Sequence, residues 1–187
     1  MIIQNRTILK SIPFEDYLKM PGVSYSDIKN AGKEFKQPTG KMQLGTNVHN
    51  YLLTPHEYNH ADVAIVRPIA LALKKQLGDL LPYLWPELVV TCNFIHNGFN
   101  MLYRGRIDLG IPGRLVIDIK VTEMPIRKGI EYFGYDKQQS GYGMGIDAKV
   151  ALIIAIHPIS FRIDIVNIPI NSEWWENQVI QKGEPVL

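Results

Sequence analysis

The sequence predicts an α/β (α+β) fold, on three observations. Residues 103–122 form two runs rich in Ile, Leu and Val around Ile111-Pro-Gly-Arg114, the turn chemistry of a β-hairpin. Residues 149–156 are a short, strongly apolar run, as in a strand buried on both faces. Helical spacing of apolar residues recurs before and between these strands, at 42–53 and 125–146. A chain of 187 residues suits one domain with a sizeable core.

In chain order, residues 1–23 are mixed, with breaks at Pro13 and Pro21-Gly22. Ser24-Tyr-Ser26 precedes Asp27-Ile-Lys-Asn-Ala31, an N-cap and a short helix. Lys29, Lys33, Lys36 and Lys41 cluster here, as a solvated face or, alternatively, as phosphate contacts. Leu44, Val48, Tyr51 and Leu52 follow helical spacing, with Thr46 a candidate N-cap and His49 near the same face. Ile69–Leu81 predicts a helix in a stretch punctuated by Pro55, Pro68, Pro82 and Pro86. Glu87–Ile95 reads as a strand, His96-Asn-Gly98 as a turn and Phe99–Leu109 as the next strand, giving an antiparallel meander. A helix is expected over Pro125–Ile146, with Pro125 in its first turn and Gly134, Gly141, Gly143 and Gly145 weakening it. Residues 161–168 alternate, as in a more exposed strand, and a last helix runs from Asn171-Ser-Glu to about Lys182. Trp174 and Trp175 are expected to dock that helix, base stacking being the alternative.

Composition narrows the class. Hydrophobic residues make up 46% and charged residues 20%, as in globular proteins. No apolar run reaches the roughly 18 residues of a membrane span, and no signal-peptide pattern opens the chain, so a soluble, cytoplasmic protein is expected. The one cysteine, Cys92, excludes an intramolecular disulfide and a cysteine-ligated metal cluster. A formal charge of +2 neither argues for nucleic acid nor against a local basic track beside an acidic site.

The hairpin carries the chemistry. Side chains alternate along a strand, which groups Ile107 with Leu109 on one face and Arg104, Arg106 and Asp108 on the other. In the second strand Leu115, Ile117, Ile119 and Val121 share a face, and Val116, Asp118, Lys120 and Thr122 share the opposite one. A turn centred near Pro112-Gly113 sets Asp108 opposite Asp118, with Lys120 beside them. Facing carboxylates repel; a divalent cation bound through oxygen ligands would make the pair tolerable. A solvent-exposed face in which Lys120 neutralises Asp118 is the plainer alternative.

Four motifs occur in one order: Gly45-x-x-x-His49, Arg104-Gly-Arg-Ile-Asp108, Asp118-Ile-Lys120 and Gln138-x-x-x-Tyr142. Together they resemble the core of the PD-(D/E)XK nuclease superfamily, in its RecE/lambda-exonuclease-like, phage-type exonuclease VIII-like branch. The resemblance covers roughly residues 42–145. It implies a restriction-endonuclease-like core, a central mixed sheet flanked by helices. It divides the chain into an N-terminal helical extension (1–41), a nuclease core (42–170) and a C-terminal helix (171–187). One departure is that Val121 follows Lys120, where the family often has Thr; Thr122 lies on the Asp118/Lys120 face instead.

The resemblance further implies a Mg²⁺- or Mn²⁺-dependent exonuclease acting on duplex DNA ends, 5′→3′, in phage-type recombination or DNA processing. Asp108, Asp118 and the Ile119 carbonyl are the implied metal ligands, with His49 and Glu87 as candidates. Lys120 and Gln138 complete the implied catalytic set, and Gln139 replaces Gln138 if the register slips. Arg104, Arg106, Tyr142 and Thr122 are the implied DNA contacts. A homo-oligomeric ring of three or four subunits and a single-strand annealing protein are the implied partners. A structure-specific or restriction-type endonuclease, and a catalytically inactive nucleic-acid-binding module, are the alternatives.

Overall fold

The computed structural model describes residues 1–34, 37, 39–58 and 62–186. Among these, seven strands form one mixed sheet with helices on both faces. The strands are β1 (Ile2–Leu9), β2 (Trp85–His96), β3 (Phe99–Ile111), β4 (Leu115–Val121), β5 (Val150–Ile156), β6 (Ile163–Asn167) and the short β7 (Glu184–Pro185). Strands β1 to β4 form an antiparallel meander, β4 and β5 run parallel, and β6 returns antiparallel along β5. Parallel neighbours need a crossover, supplied by α5 (Ile126–Phe133) and α6 (Tyr135–Ile146).

Two cores cover the sheet. On one face α6, α2 (Tyr25–Asn30) and α7 (Glu173–Lys182) bring Tyr25, Ile146, Trp175 and Val179 against Val90, Phe94, Tyr103 and Val116. On the other, α3 (Gly40–Leu53) and α4 (Val63–Leu77) pack Val48, Val66, Ile69 and Leu73 against Leu109, Ile117, Ile119 and Ile154. Trp175 is fully buried and donates its Nε1–H to the Lys137 carbonyl, so it docks the last helix as expected. The apolar run of β5 lies between two strands, and five of its seven residues, Ala151 and Ile153–Ile156, are under 5% exposed.

Several local expectations are corrected. Ile2–Leu9, placed in a helical extension, is the edge strand β1. Its β-branched ends favour a strand, while polar residues and a bulge at its middle, with Asn5 at φ 51, hide the alternation. The α3 helix starts earlier than expected: Thr39 accepts the Met42 amide as N-cap, and Thr46 lies in the helix interior, donating to the Met42 carbonyl. Pro68 sits inside α4 rather than before it, and the helix ends at Leu77 before a 3-10 turn over Gly78–Tyr83. The span expected as one helix from Pro125 is two, because Gly134 at φ 69 closes α5 with its amide on the Ile130 carbonyl. Pro125 is the N-cap residue, not part of the first turn. Of Ser24-Tyr-Ser26 it is Ser24 that caps α2, reciprocally with Asp27, and the helix already begins at Tyr25. Lys36 lies outside the described residues.

Candidate active site

The site forms where β3 loses its β4 neighbour. Leu109, Gly110 and Ile111 pair with Ile117, Val116 and Leu115. Continuing that register would set Asp108 opposite Asp118, as the hairpin predicts, but the ladder ends one pair earlier. Beyond the gap, Tyr103 is bridged by Val23, and Phe99 and Asn100 pair with β7. The side chain of Asp108 fills the place of the missing strand acceptor: its Oδ2 accepts the Ile119 amide at 2.7 Å.

The partner strand explains the departure. The β2–β3 register passes from Leu88↔Ile107 to Pro86↔Leu109, skipping Glu87 and Asp108. Glu87 has φ 49, the left-handed region that branched and bulky residues avoid. Such an irregularity re-aims side chains. Ile107 accordingly joins one core and Leu109 the other, correcting the expectation that they share a face.

Asp118 and Lys120 lie on one face of β4 as expected. The Lys120 ammonium is 2.7 Å from Asp118 Oδ2 and donates to Oδ1 at 2.9 Å. The Asp118 side chain is 3% exposed and that of Lys120 21%. Burial pushes the Asp118 carboxyl up to about 6; Lys120 opposes this and the neighbouring Asp108 charge adds to it. Burial alone would lower the Lys120 ammonium, but the Asp118 and Asp108 charges outweigh it and hold its pKa above the usual lysine value. Lys120 also lies 4.7 Å from the centre of the Tyr135 ring, a cation–π contact.

His49 reaches the same point from α3. Its Nε2 lies 2.9 Å from the Ile119 carbonyl, a contact that requires Nε2 to donate, and its Nδ1 is 3.6 Å from Asp108 Oδ1. His49 therefore brings α3 to the Asp108/Ile119 junction; a Cβ at Gly45 would meet no neighbouring atom within 4 Å. A cleft of about 350 Å³ opens here, lined by Phe14, Thr46, His49, Asn50, Glu87, Arg106 and Asp108. Glu87 is buried at the cleft, with Arg106 Nε 2.6 Å from its Oε2. Phe14 and Asn50 were not singled out from sequence. Asn50 adjoins His49, and nothing in the sequence places Phe14 at the site.

The expected DNA contacts divide. Arg106 faces the cleft, pinned between Glu87 and the Phe14 ring, whose centre is 4.9 Å from its guanidinium. Arg104 is committed elsewhere. Its guanidinium donates to the carbonyls of Tyr17, Leu18 and Met20 at the end of α1 (Phe14–Lys19) and pairs with Asp27 at 3.1 Å. Tyr142 is 8% exposed, with its ring against Gly105 and its hydroxyl accepting from Gln138 Nε2 at 3.0 Å. That packing removes its ring from solvent. Thr122 Oγ1 accepts the Met124 amide and so closes the turn after β4. Gln138 is partly exposed, whereas Gln139 is fully buried and both ends of its amide lack a hydrogen-bond partner among the described residues.

The donor types suit a hard divalent cation, two carboxylates and a backbone carbonyl, although Asp118 Oδ2 is already met by the Lys120 ammonium at 2.7 Å. The gathering is loose. Among the described residues no group of three or more His, Cys, Asp or Glu is close enough to hold a metal ion. A cation there would have to draw Asp118 from Lys120 and the Ile119 carbonyl from His49.

No protein-family model matches the chain, and no curated protein matches it in sequence. Among solved structures it is similar to one titled "Crystal structure of SSO0001", at 19% identity and a TM-score of 0.45, covering 95% of this chain and 90% of that one. So distant a likeness does not bear on activity. No helix among the described residues is long and apolar enough to cross a membrane.

Proposed function

We propose that this chain is a PD-(D/E)XK-type, Mg²⁺- or Mn²⁺-dependent DNA exonuclease that hydrolyses phosphodiester bonds from duplex ends in the 5′→3′ direction. The observation that carries the reading is the meeting of Asp108, Asp118, Lys120 and His49 where β3 and β4 part, in the motif order the resemblance requires. Asp108, Asp118 and the Ile119 carbonyl would hold the cation, with His49 and Glu87 beside them. A bound divalent cation supplies Lewis acidity and lowers the pKa of a water.

The chain's own groups do the rest. Lys120, held in its charged form by the two carboxylates, serves as a cation against the phosphate oxygens rather than as a base. Gln138 engages Tyr142 through Nε2, which leaves its Oε1 end to hold a water. Arg106, fixed by Glu87 and Phe14, presents its remaining donors to the backbone of the bound strand. A ring-shaped homo-oligomer and a single-strand annealing partner belong to this reading.

One observation favours a second reading, an inactive DNA-binding module on the same scaffold. Asp108, Asp118 and Glu87 each already have a protein partner, and among the described residues no group of three or more His, Cys, Asp or Glu is gathered. Cleavage of linear and of covalently closed circular duplex DNA with Mg²⁺, Mn²⁺ or EDTA separates the readings. Metal-dependent loss of the linear form alone is expected. Cutting of the closed circle would instead make the enzyme an endonuclease, and DNA binding without cleavage in any metal would favour the inactive module.

A further inference from the structure

The cleft beside Asp108 is polar on almost every side. Thr46, His49, Asn50, Glu87, Arg106 and Asp108 line it, and Phe14 is the one apolar group among its lining residues. Phe14 is 49% exposed although it stands over a charged site. It is also held. The Arg106 guanidinium lies 4.9 Å from its centre, and the Tyr17 ring stacks alongside at 6.2 Å with planes 24° apart. The helix bearing both rings is tied to β3, because Arg104 takes the Tyr17, Leu18 and Met20 carbonyls and pairs with Asp27. Arg106 is fixed in turn by Glu87 at 2.6 Å.

A flat apolar surface, backed by a cation and set among hydrogen-bonding groups, is complementary to a nucleobase. The base supplies a π-face for the ring, and its edges and phosphate supply partners for Thr46, His49 and Asn50. The cleft volume of about 350 Å³ falls within the range of small-ligand sites. We infer that Phe14 is a stacking platform for an unpaired base at the end of the DNA, positioning the adjoining phosphate beside Asp108. This rests on the nuclease reading of the same cleft and adds what part of the substrate the cleft holds. The enzyme then acts on an end whose last base has left its partner, so terminal pairs that open easily are better substrates.

Two readouts test it on the full-length chain. The first is steady-state cleavage by wild type, Phe14→Ala and Phe14→Trp on duplexes ending in A·T or G·C pairs. Stacking predicts a fall in kcat/KM of about 5- to 100-fold for Phe14→Ala, carried mainly in KM, with recovery in Phe14→Trp. The second is the fluorescence of 2-aminopurine at the duplex end, titrated with Asp118→Asn protein and with Asp118→Asn/Phe14→Ala protein. Quenching by the first and not the second is expected. Equal quenching by both, or a Phe14→Ala enzyme with wild-type KM, overturns the inference while leaving the nuclease intact. If wild type cleaves nothing, the nuclease reading fails, and the quenching titration still decides whether Phe14 stacks a base.

Discussion

The Ile119 amide donates to Asp108 Oδ2 at 2.7 Å, so a carboxylate side chain stands where a strand carbonyl would complete the ladder. One residue thereby joins the folding of the sheet to the chemistry of the site. Asp108→Ala leaves the Ile119 N–H without its acceptor and is expected to destabilise the fold by about 1–3 kcal/mol. Asp108→Asn keeps an acceptor oxygen and is expected to hold most of that stability while losing cleavage. Urea unfolding of the three proteins checks this; equal stability of Asp108→Ala and wild type would contradict it.

Asp118 and Lys120 are a buried pair; without Lys120 the Asp118 carboxylate is uncompensated, whereas without Asp118 the Lys120 ammonium still has the Asp108 charge near it. Asp118→Asn and Lys120→Met alone are each expected to behave unequally: the neutral amide is tolerated, whereas Lys120→Met strands a carboxylate and costs about 3–5 kcal/mol. The double variant is expected to recover most of that loss. A double-mutant cycle on unfolding free energies gives the coupling, and additive effects would mean the pair is solvated.

How much of this site was readable in the sequence differs residue by residue. Asp108, Asp118 and Lys120 come together because strand alternation and one turn fix them, and both rules are local. His49 reaches the Ile119 carbonyl because helical spacing holds it at the sheet-facing side of α3. Arg104 and Tyr142, expected as DNA contacts, are engaged within the protein instead. An arginine in a motif gives no sign that it will clasp the end of α1, and Tyr142 is buried by a glycine, Gly105, on a different element. The shift of Leu109 to the other core depends on the left-handed backbone of Glu87, which no periodicity announces. Strand β1 was missed because its polar middle and bulge break the alternation that defines an isolated strand.

Gly134 separates α5 from α6 and is expected to resist substitution. At φ 69 an L side chain is strained, and a Cβ would collide with the Tyr25 hydroxyl, which donates to the Phe133 carbonyl at 2.6 Å. Gly134→Ala is expected to destabilise by more than the roughly 1–2 kcal/mol of the backbone conformation alone. Thermal unfolding beside Gly129→Ala and wild type measures it; a Tm equal to wild type would contradict the account.

Stability is expected to fall in alkali. Burial pushes the Cys92 thiol up to about 12, and burial with the nearby Asp136 charge pushes Tyr25 up to about 12. The unfolded chain loses these protons near pH 8.5 and pH 10, while the folded chain keeps them. Protons bound only by the folded state make stability fall as pH rises. The contribution is complete below about pH 8 and is lost progressively toward pH 12. Cys92→Ala is expected to flatten the first part of that decline, and the native thiol is expected to be inert to thiol reagents at pH 8. A Cys92→Ala profile identical to wild type between pH 8 and 10 would count against the burial argument.

The most direct test of the active-site assignment is the release of nucleotides from 5′- and 3′-labelled linear duplex DNA by wild type and Asp118→Ala, with Mg²⁺, Mn²⁺ or EDTA. Progressive loss from the 5′ end in the presence of metal, absent in EDTA and absent in Asp118→Ala, is the expected result. Cleavage by Asp118→Ala at the wild-type rate, or none by wild type in either metal, would contradict it.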